Sequence, residues 1–181
     1  GPAEAACAAR RSWALAASTG AEAAMAAGTA VLLGEAPAGD VDGLAAQATA
    51  LVAAGARAAL VKGGHMEGDE LTDAFADASG VTLLSSPRIR TRNTHGTGCT
   101  LSSAIAACAA LLGDTPASGV SLPAVEKARG YLFRAIASGA DWRLSRTPDT
   151  GHGPVNHLVG FDTGVRLAPH GPAQPARRKA T

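Results

Sequence analysis

Apolar positions recur with helical spacing in some segments and form short buried-strand runs in others. A helical period over residues 44–52 ends near Gly55, a residue that commonly terminates a helix. Residues 58–61 form an apolar run typical of a buried strand, and the glycine-containing segment 62–65 follows it. Helix, strand and glycine loop in this order predict an α/β sheet.

The pattern continues through the second half of the chain. Residues 70–77 and 81–89 flank the turn segment 78–80 and predict a hairpin. After a polar loop, apolar residues at helical spacing predict one helix over 101–112 and a second over 123–139, each stopped by glycine. Residues 151–157 are a second glycine-rich loop, before a last apolar segment, 158–161.

The two ends of the chain differ in amino-acid composition from its middle. Residues 1–28 are low-complexity and rich in alanine, and we expect little for them to bury. Residues 168–181 are rich in proline and alanine, with a basic end, and predict a disordered tail. One folded domain over 29–167 is the expected organisation.

Composition excludes several functional classes. The formal net charge of the 181-residue chain is +1, which argues against both extended disorder and a nucleic-acid-binding surface. No apolar run approaches the roughly 18 residues of a membrane span. The three cysteines, Cys7, Cys99 and Cys108, form no CxxC pair and suit a reducing compartment, so we expect a cytoplasmic protein.

The segment most informative about chemistry is residues 93–100, which opens the helix over 101–112. Its glycines, Gly96 and Gly98, allow the backbone to present N–H groups, and the helix start adds a positive dipole end, which together suit a phosphate or another oxyanion. Cys99 falls where that field favours a thiolate, so it is a candidate base or nucleophile. The alternative is that the glycines simply break the loop and Cys99 is a small buried packing residue.

A second candidate lies where the strand over 58–61 ends. Ligands of open α/β sheets bind beyond the carboxyl ends of strands, so Lys62 can reach a phosphate there; the alternative is a lysine that extends to solvent before an ordinary turn. Asp73 could orient a ligand or a metal, although a solvated strand residue is the favoured interpretation. The histidines show no metal-binding spacing, so no metal site is predicted, and His152 and His157 are expected to shape their loop.

Three motifs together resemble a known family. Val61-Lys62-Gly63-Gly64-His65, the run Thr91-Arg92-Asn93-Thr94-His95-Gly96-Thr97-Gly98-Cys99-Thr100-Leu101-Ser102 and Gly153-Pro154-Val155-Asn156-His157 are similar to the hydroxymethylpyrimidine/phosphomethylpyrimidine kinases of thiamine biosynthesis. The resemblance covers roughly residues 30–161. It implies a ribokinase-like α/β fold, with a central, mostly parallel sheet and helices on both faces.

The resemblance also implies a reaction and the residues that serve it. The γ-phosphate of ATP, with Mg²⁺, would pass to a hydroxymethylpyrimidine or to its monophosphate. Cys99 would be the general base, and the backbone of Gly96, Thr97, Gly98 and Cys99 would form an anion hole. The nucleotide would be bound by Lys62, Gly63 and Thr94.

The chain also departs from the family pattern. An Asn-x-x-Glu segment that the family links to magnesium, and most of its pyrimidine pocket, are missing from residues 1–28. The resemblance therefore implies a kinase domain that is partial, with its sheet incomplete on the N-terminal side, and impaired activity for this chain alone. A pyridoxal-type kinase and a non-catalytic nucleotide-binding remnant are the alternatives, and a homodimer stays open. The expected partner is a small pyrimidine, not a nucleic acid or a membrane.

Overall fold

The computed structural model describes residues 23–64, 66–144, 146–147 and 150–161. Four strands and four helices follow one another along this part of the chain. They are β1 (Ala23–Met25), α1 (Ala26–Leu33), α2 (Val41–Ala53), β2 (Ala58–Lys62), β3 (Glu70–Asp77), β4 (Gly80–Pro87), α3 (Thr97–Leu112) and α4 (Leu122–Ser138).

The described strands form one sheet in the order β1-β2-β3-β4. β1 pairs with β2 in parallel, whereas β2–β3 and β3–β4 are antiparallel, so the prediction of a mostly parallel sheet is not confirmed for these strands. The reason lies in the connections, because parallel neighbours need a crossover of about a dozen residues or more. Only α1 and α2, between β1 and β2, supply one; residues 63–69 and 78–79 are too short.

The hairpin predicted from residues 70–89 is confirmed. β3 and β4 pair from Glu70↔Pro87 to Asp77↔Gly80, and Gly80 takes a φ of +129°, which suits glycine at the turn. The Asp77 carboxylate accepts hydrogen bonds from the Ser79 backbone N–H at 2.8 Å and from its hydroxyl at 2.5 Å. A local side-chain interaction therefore stabilises the turn.

Helices cover both faces of the sheet, as predicted. Successive residues of β2 point to opposite faces, so that Leu60 packs under α3 and α4 while Val61 packs under α2. The core on the α3/α4 face is built from Ala58, Leu60, Phe75, Leu84, Leu101, Ile105, Ala109, Val120, Ala124, Val125, Ala128 and Leu132. The core on the α2 face is smaller in side-chain size and consists of Leu44, Ala48, Leu51, Ala59, Val61, Ala74 and Ala76.

The helix ends follow the local sequence. Asp40 caps α2 by accepting a hydrogen bond from the Gly43 N–H at 2.7 Å. Gly113 ends α3 in the left-handed conformation, with a φ of +79°, which confirms the predicted stop. Pro123 lies in the first turn of α4, where its missing N–H costs nothing.

The ends of the chain only partly meet their predictions. The predicted disordered tail lies outside the described residues, as do residues 1–22. β1 and the start of α1 fall within residues 23–28, so the sheet begins inside the alanine-rich segment. The apolar segment 158–161 forms a turn whose Leu158 and Phe161 are exposed. In the described ranges, no helix has the length and apolar character to cross a membrane.

Candidate active site

A cavity of about 960 Å³ lies where β2 ends, between the β3–β4 hairpin and α4. Its charged and hydroxyl-bearing lining consists of Lys62, Asp73, Ser85, Ser86, Arg88, Thr94, Thr97, Glu126, Arg129 and Arg134. Its apolar lining includes Leu71, Leu83, Leu84, Ile89, Leu132, Phe133 and Ile136. The cavity therefore offers both positive charge and an apolar surface to one ligand.

Four of the residues singled out from sequence line this cavity together: Lys62, Asp73, Thr94 and Thr97. They come from the end of β2, from β3, from the loop before α3 and from the first residue of α3. Gly98 and Cys99 are the next residues of α3 and do not belong to the lining. Cys99 is exposed, so the alternative that it is a buried packing residue is wrong.

The start of α3 leaves backbone donors open. Gly96 precedes the helix with a φ of +84°, and its carbonyl accepts both the N–H and the hydroxyl of Thr100, at 2.9 and 2.8 Å. Within the described ranges, the N–H groups of Gly98 and Cys99 have no acceptor, as expected for the first turn of a helix. Such N–H groups, at the positive end of the helix dipole, suit an anion.

The loop before α3 is anchored by Asn93, a buried residue whose importance the sequence analysis missed. Its side-chain amide donates to the carbonyls of Gly139 and Trp142, each at 2.7 Å, and to that of Ala140 at 3.2 Å. Gly153 packs so closely on Asn93 that a Cβ there would lie 2.0 Å from Oδ1. No local pattern shows these contacts, because the partners are more than 40 residues away.

The glycine-rich loop over 151–157 closes over the start of α3. The His95 N–H donates to the Gly153 carbonyl at 3.0 Å, and the Tyr131 hydroxyl donates to the His157 carbonyl at 2.7 Å. The ring Nδ1 of His157 lies 3.3 Å from the Thr100 hydroxyl. These contacts fit the loop-shaping role predicted for His157.

Lys62 ends β2 as a half-buried residue, directly opposite Asp73 in the sheet. Burial lowers the pKa of its ammonium group below the ordinary lysine value. The Asp73 carboxylate acts against this, because a nearby negative charge favours the ammonium form, while the Arg129 guanidinium lowers the pKa further. The lysine therefore lies in a local field set by two opposite charges.

The interpretation of Asp73 as a solvated strand residue is wrong. Asp73 is buried, with 7 % of its surface exposed. Its Oδ1 accepts the Gly63 N–H at 3.1 Å, and its Oδ2 accepts Nε–H of Arg129 at 2.9 Å. Arg129 was not predicted as a site residue, although its position inside the apolar stripe of α4, between Val125 and Leu132, was a usable signal.

Of the three glycines predicted at the site, Gly63, Gly96 and Gly98, Gly63 is the most closely packed. It is buried, and a Cβ at this position would lie 2.2 Å from the Thr72 carbonyl oxygen and 2.8 Å from Leu44 Cδ1. Its N–H is already bonded to Asp73. Gly63 thus allows the chain to turn directly behind Lys62.

These features define an α/β protein with a cavity bordered by positively charged side chains and by the amino-terminal end of α3. The family model for phosphomethylpyrimidine kinase matches residues 26–156, and the chain belongs to that family. The resemblance found from the three motifs is thereby confirmed.

Individual relatives agree with this assignment. A hydroxymethylpyrimidine/phosphomethylpyrimidine kinase of Rhizobium meliloti is 46 % identical over 130 residues, covering 71 % of this chain and 45 % of the relative. The Escherichia coli kinase of the same description is 39 % identical over 114 residues, covering 62 % and 38 %. The chain therefore spans less than half the length of these curated relatives.

Among solved structures, a Bacillus subtilis pyridoxal kinase in an ADP complex is similar to this chain. The TM-score is 0.64 and the identity 25 %, over 79 % of this chain and 50 % of that one. The similarity supports the ribokinase-like fold class predicted from the motifs.

Proposed function

We propose that this chain provides the nucleotide-binding side of an ATP-dependent kinase that phosphorylates hydroxymethylpyrimidine and its monophosphate in thiamine biosynthesis. The observation that carries the proposal is the convergence of Lys62, Thr94 and Thr97 on one cavity beside the open amides of α3. Relatives described as kinases of these two pyrimidines support the choice of substrate.

The anion hole of the proposal is formed by the backbone of Gly96, Thr97, Gly98 and Cys99. The free N–H groups of Gly98 and Cys99 would stabilise the charge that develops on the transferred phosphoryl group. Fixed donors aimed at developing charge stabilise a transition state without reorganising during the reaction. Positioning and electrostatics of this kind dominate phosphoryl transfer.

Cys99 is the proposed general base. As the thiolate, its sulfur would take the proton from the hydroxyl of hydroxymethylpyrimidine and become the thiol. The hydroxyl oxygen would form a bond to the γ-phosphorus while the bond to the β–γ bridging oxygen breaks, which leaves ADP. The exposed thiol in the first turn of α3 supports this role, because the side chain is open to an acceptor beside the anion hole.

The nucleotide phosphates would be bound by Lys62, Gly63 and Thr94. Lys62 contributes a cation at the end of β2, and Thr94 a hydroxyl that lines the same cavity. Gly63 contributes indirectly, since only a residue without a side chain fits behind Lys62.

Magnesium would bind together with the nucleotide. The described residues gather no group of three or more His, Cys, Asp or Glu side chains that could hold a metal ion. We therefore assign Mg²⁺ to the phosphates of ATP, where it supplies charge neutralisation, and assign no protein ligand to it.

A pyridoxal-type kinase is the second candidate, favoured by the similarity to the Bacillus subtilis pyridoxal kinase. The cytoplasm is the proposed compartment, which the free thiols of Cys99 and Cys108 support. We propose a small molecule as the partner.

The proposal is tested by ATP binding and turnover with the 181-residue chain and Mg²⁺. Hydroxymethylpyrimidine, its monophosphate and pyridoxal are compared as acceptors by mass spectrometry of the products. Cys99→Ala is the test variant, and Cys108→Ala, on the same helix and half-buried, is its matched control.

We expect ATP binding, and slow turnover of the pyrimidines that Cys99→Ala abolishes and Cys108→Ala preserves. Absence of ATP binding contradicts the proposal, as does turnover that survives Cys99→Ala. Preference for pyridoxal favours the second candidate, and ATP binding with no turnover favours a non-catalytic remnant.

A further inference from the structure

We propose that Asp73 and Arg129 form a positioning pair that holds the Lys62 turn and sets the electrostatic field at the Lys62 amine. The inference rests on the proposed function only for the ligand that Lys62 contacts. Its structural basis is a set of contacts that joins β2, β3, β4 and α4 at the cavity.

Asp73 lies at the centre of this arrangement. The sheet register pairs Lys62 with Asp73 on one side and Asp73 with Leu84 on the other. Both carboxylate oxygens are engaged, Oδ1 with the Gly63 N–H at 3.1 Å and Oδ2 with Arg129 Nε at 2.9 Å. The Asp73 side chain therefore fixes the backbone directly after Lys62 and also binds Arg129 of α4, the helix packed on this face of the sheet.

Arg129 completes the connection to the edge of the sheet. Its Nη2 donates to the Leu84 carbonyl at 2.6 Å. The side chains of Arg129 and Asp73 are only 15 % and 11 % exposed. An ion pair this buried differs from a surface pair, because removing one partner leaves an uncompensated charge in a poorly solvated place.

Other charged groups also line the cavity, but they do not set the electrostatic field at the Lys62 amine. The Arg88 guanidinium donates to the carbonyls of Gly64, Met66 and Gly68, so its N–H groups hold the loop over 63–69. Glu126 and Arg134, both on α4, are exposed. Burial, Asp73 and Arg129 are the causes that shift the pKa of Lys62.

A test follows from the opposite signs of the two charges. Lys62 is one of three lysines, with Lys127 and Lys179, and Lys127 is exposed on α4, so it serves as an internal reference. Trinitrobenzenesulfonate reacts with the neutral amine, and peptide mass spectrometry gives the reaction rate of each lysine against pH. The variants Asp73→Asn, Arg129→Gln and Arg129→Lys are compared in the full chain without nucleotide.

The controls come from the exposed ion pair between Asp69 and Arg90. Asp69→Asn and Arg90→Gln remove the same charges from a solvated site and should leave the Lys62 profile unchanged. Circular dichroism checks that each variant is folded.

We expect Asp73→Asn to move the Lys62 inflection to lower pH and Arg129→Gln to move it to higher pH, with Arg129→Lys returning it to the wild-type position. A purely structural role predicts that both single variants loosen the site and move Lys62 toward the Lys127 profile. An upward shift in Asp73→Asn, or no shift in either variant, overturns the proposal. If Asp73→Asn does not fold, a shift in Arg129→Gln that Arg129→Lys fails to reverse overturns it.

Nucleotide affinity gives a second readout. Loss of a charge-assisted hydrogen bond corresponds to roughly a tenfold loss in affinity, which we expect for ATP with Asp73→Asn but not with Asp69→Asn. If the variants show the expected labelling shifts but the wild-type chain does not bind ATP, the proposed function fails and the positioning pair stands.

Discussion

Two glycine-containing segments border the cavity, and their backbone amides differ in whether they are hydrogen-bonded within the protein. The Gly63 N–H is buried and bonded to Asp73, and the space beside its Cα is filled by the Thr72 carbonyl and Leu44. Gly96 has a positive φ, and a Cβ there would meet the His157 ring only at an ordinary contact distance of 3.9 Å. The residues after Gly96 have amides without acceptors in the described part of the chain.

The difference shows that glycine serves two purposes at one site. At Gly63 the missing side chain allows the Thr72 carbonyl and Leu44 to pack against the backbone, so this glycine contributes mainly to stability. At Gly96 the missing side chain permits a left-handed backbone that exposes N–H groups to a ligand. A substitution at Gly63 should therefore act through the close packing, and a substitution at Gly96 through the backbone conformation.

The largest effect is expected at Gly63. Gly63→Ala should lower the free energy of unfolding by about 3 kcal/mol, because the added methyl overlaps the Thr72 backbone as well as Leu44. Urea unfolding measures this, with Gly64→Ala as the control, since a Cβ at Gly64 meets nothing within 4 Å. Equal stability of the two variants would show that the Gly63 turn is not closely packed.

The next effect concerns the anchor of the open segment. Asn93→Ala should cost about 2 kcal/mol, because the carbonyls of Gly139, Ala140 and Trp142 lose a buried donor. The control is Asn156→Ala, whose side-chain amide donates to Ser138 at an exposed position. A loss no larger than that of the control would mean that Asn93 does not hold the loop; thermal and urea unfolding decide.

A smaller effect is expected at Gly96 itself. Gly96→Ala should destabilise the chain by about 1 kcal/mol, since a φ of +84° is unfavourable for alanine even though its Cβ would meet the His157 ring only at an ordinary contact distance of 3.9 Å. Gly98→Ala, which has an ordinary φ and open space inside α3, should be neutral or slightly stabilising. The comparison would break down if both substitutions had the same effect on the unfolding midpoint.

The smallest expected effect is the pH dependence contributed by Lys62. Its pKa is lowered in the folded protein, so between that value and the ordinary 10.5 the unfolded chain binds more protons. The free energy of unfolding should therefore rise with pH across this window. Lys62→Met should remove the rise and add a few tenths of a kcal/mol near pH 7. Unfolding at several pH values tests this, with Lys127→Met as the control; a retained rise would contradict it.

The sequence by itself determined the elements from α2 onward and the candidate loop, because their causes are local; β1 and α1 were not predicted. Apolar spacing located α2, β2 and the β3–β4 hairpin, and Gly113 ended α3 as expected. The run from Asn93 to Thr100 indicated an anion site, since glycines before a helix expose N–H groups whatever the rest of the fold does.

Only the tertiary structure decided how the cleft is held together. Asp73 and Arg129 are 56 residues apart, and Asn93 is 46 residues from Gly139. Such pairs depend on strand register and on how a helix lies across the sheet, which local spacing does not encode. The burial of Asp73 followed from the same cause: a carboxylate on a strand is solvated or paired according to what packs over it, and here Arg129 of α4 packs over it.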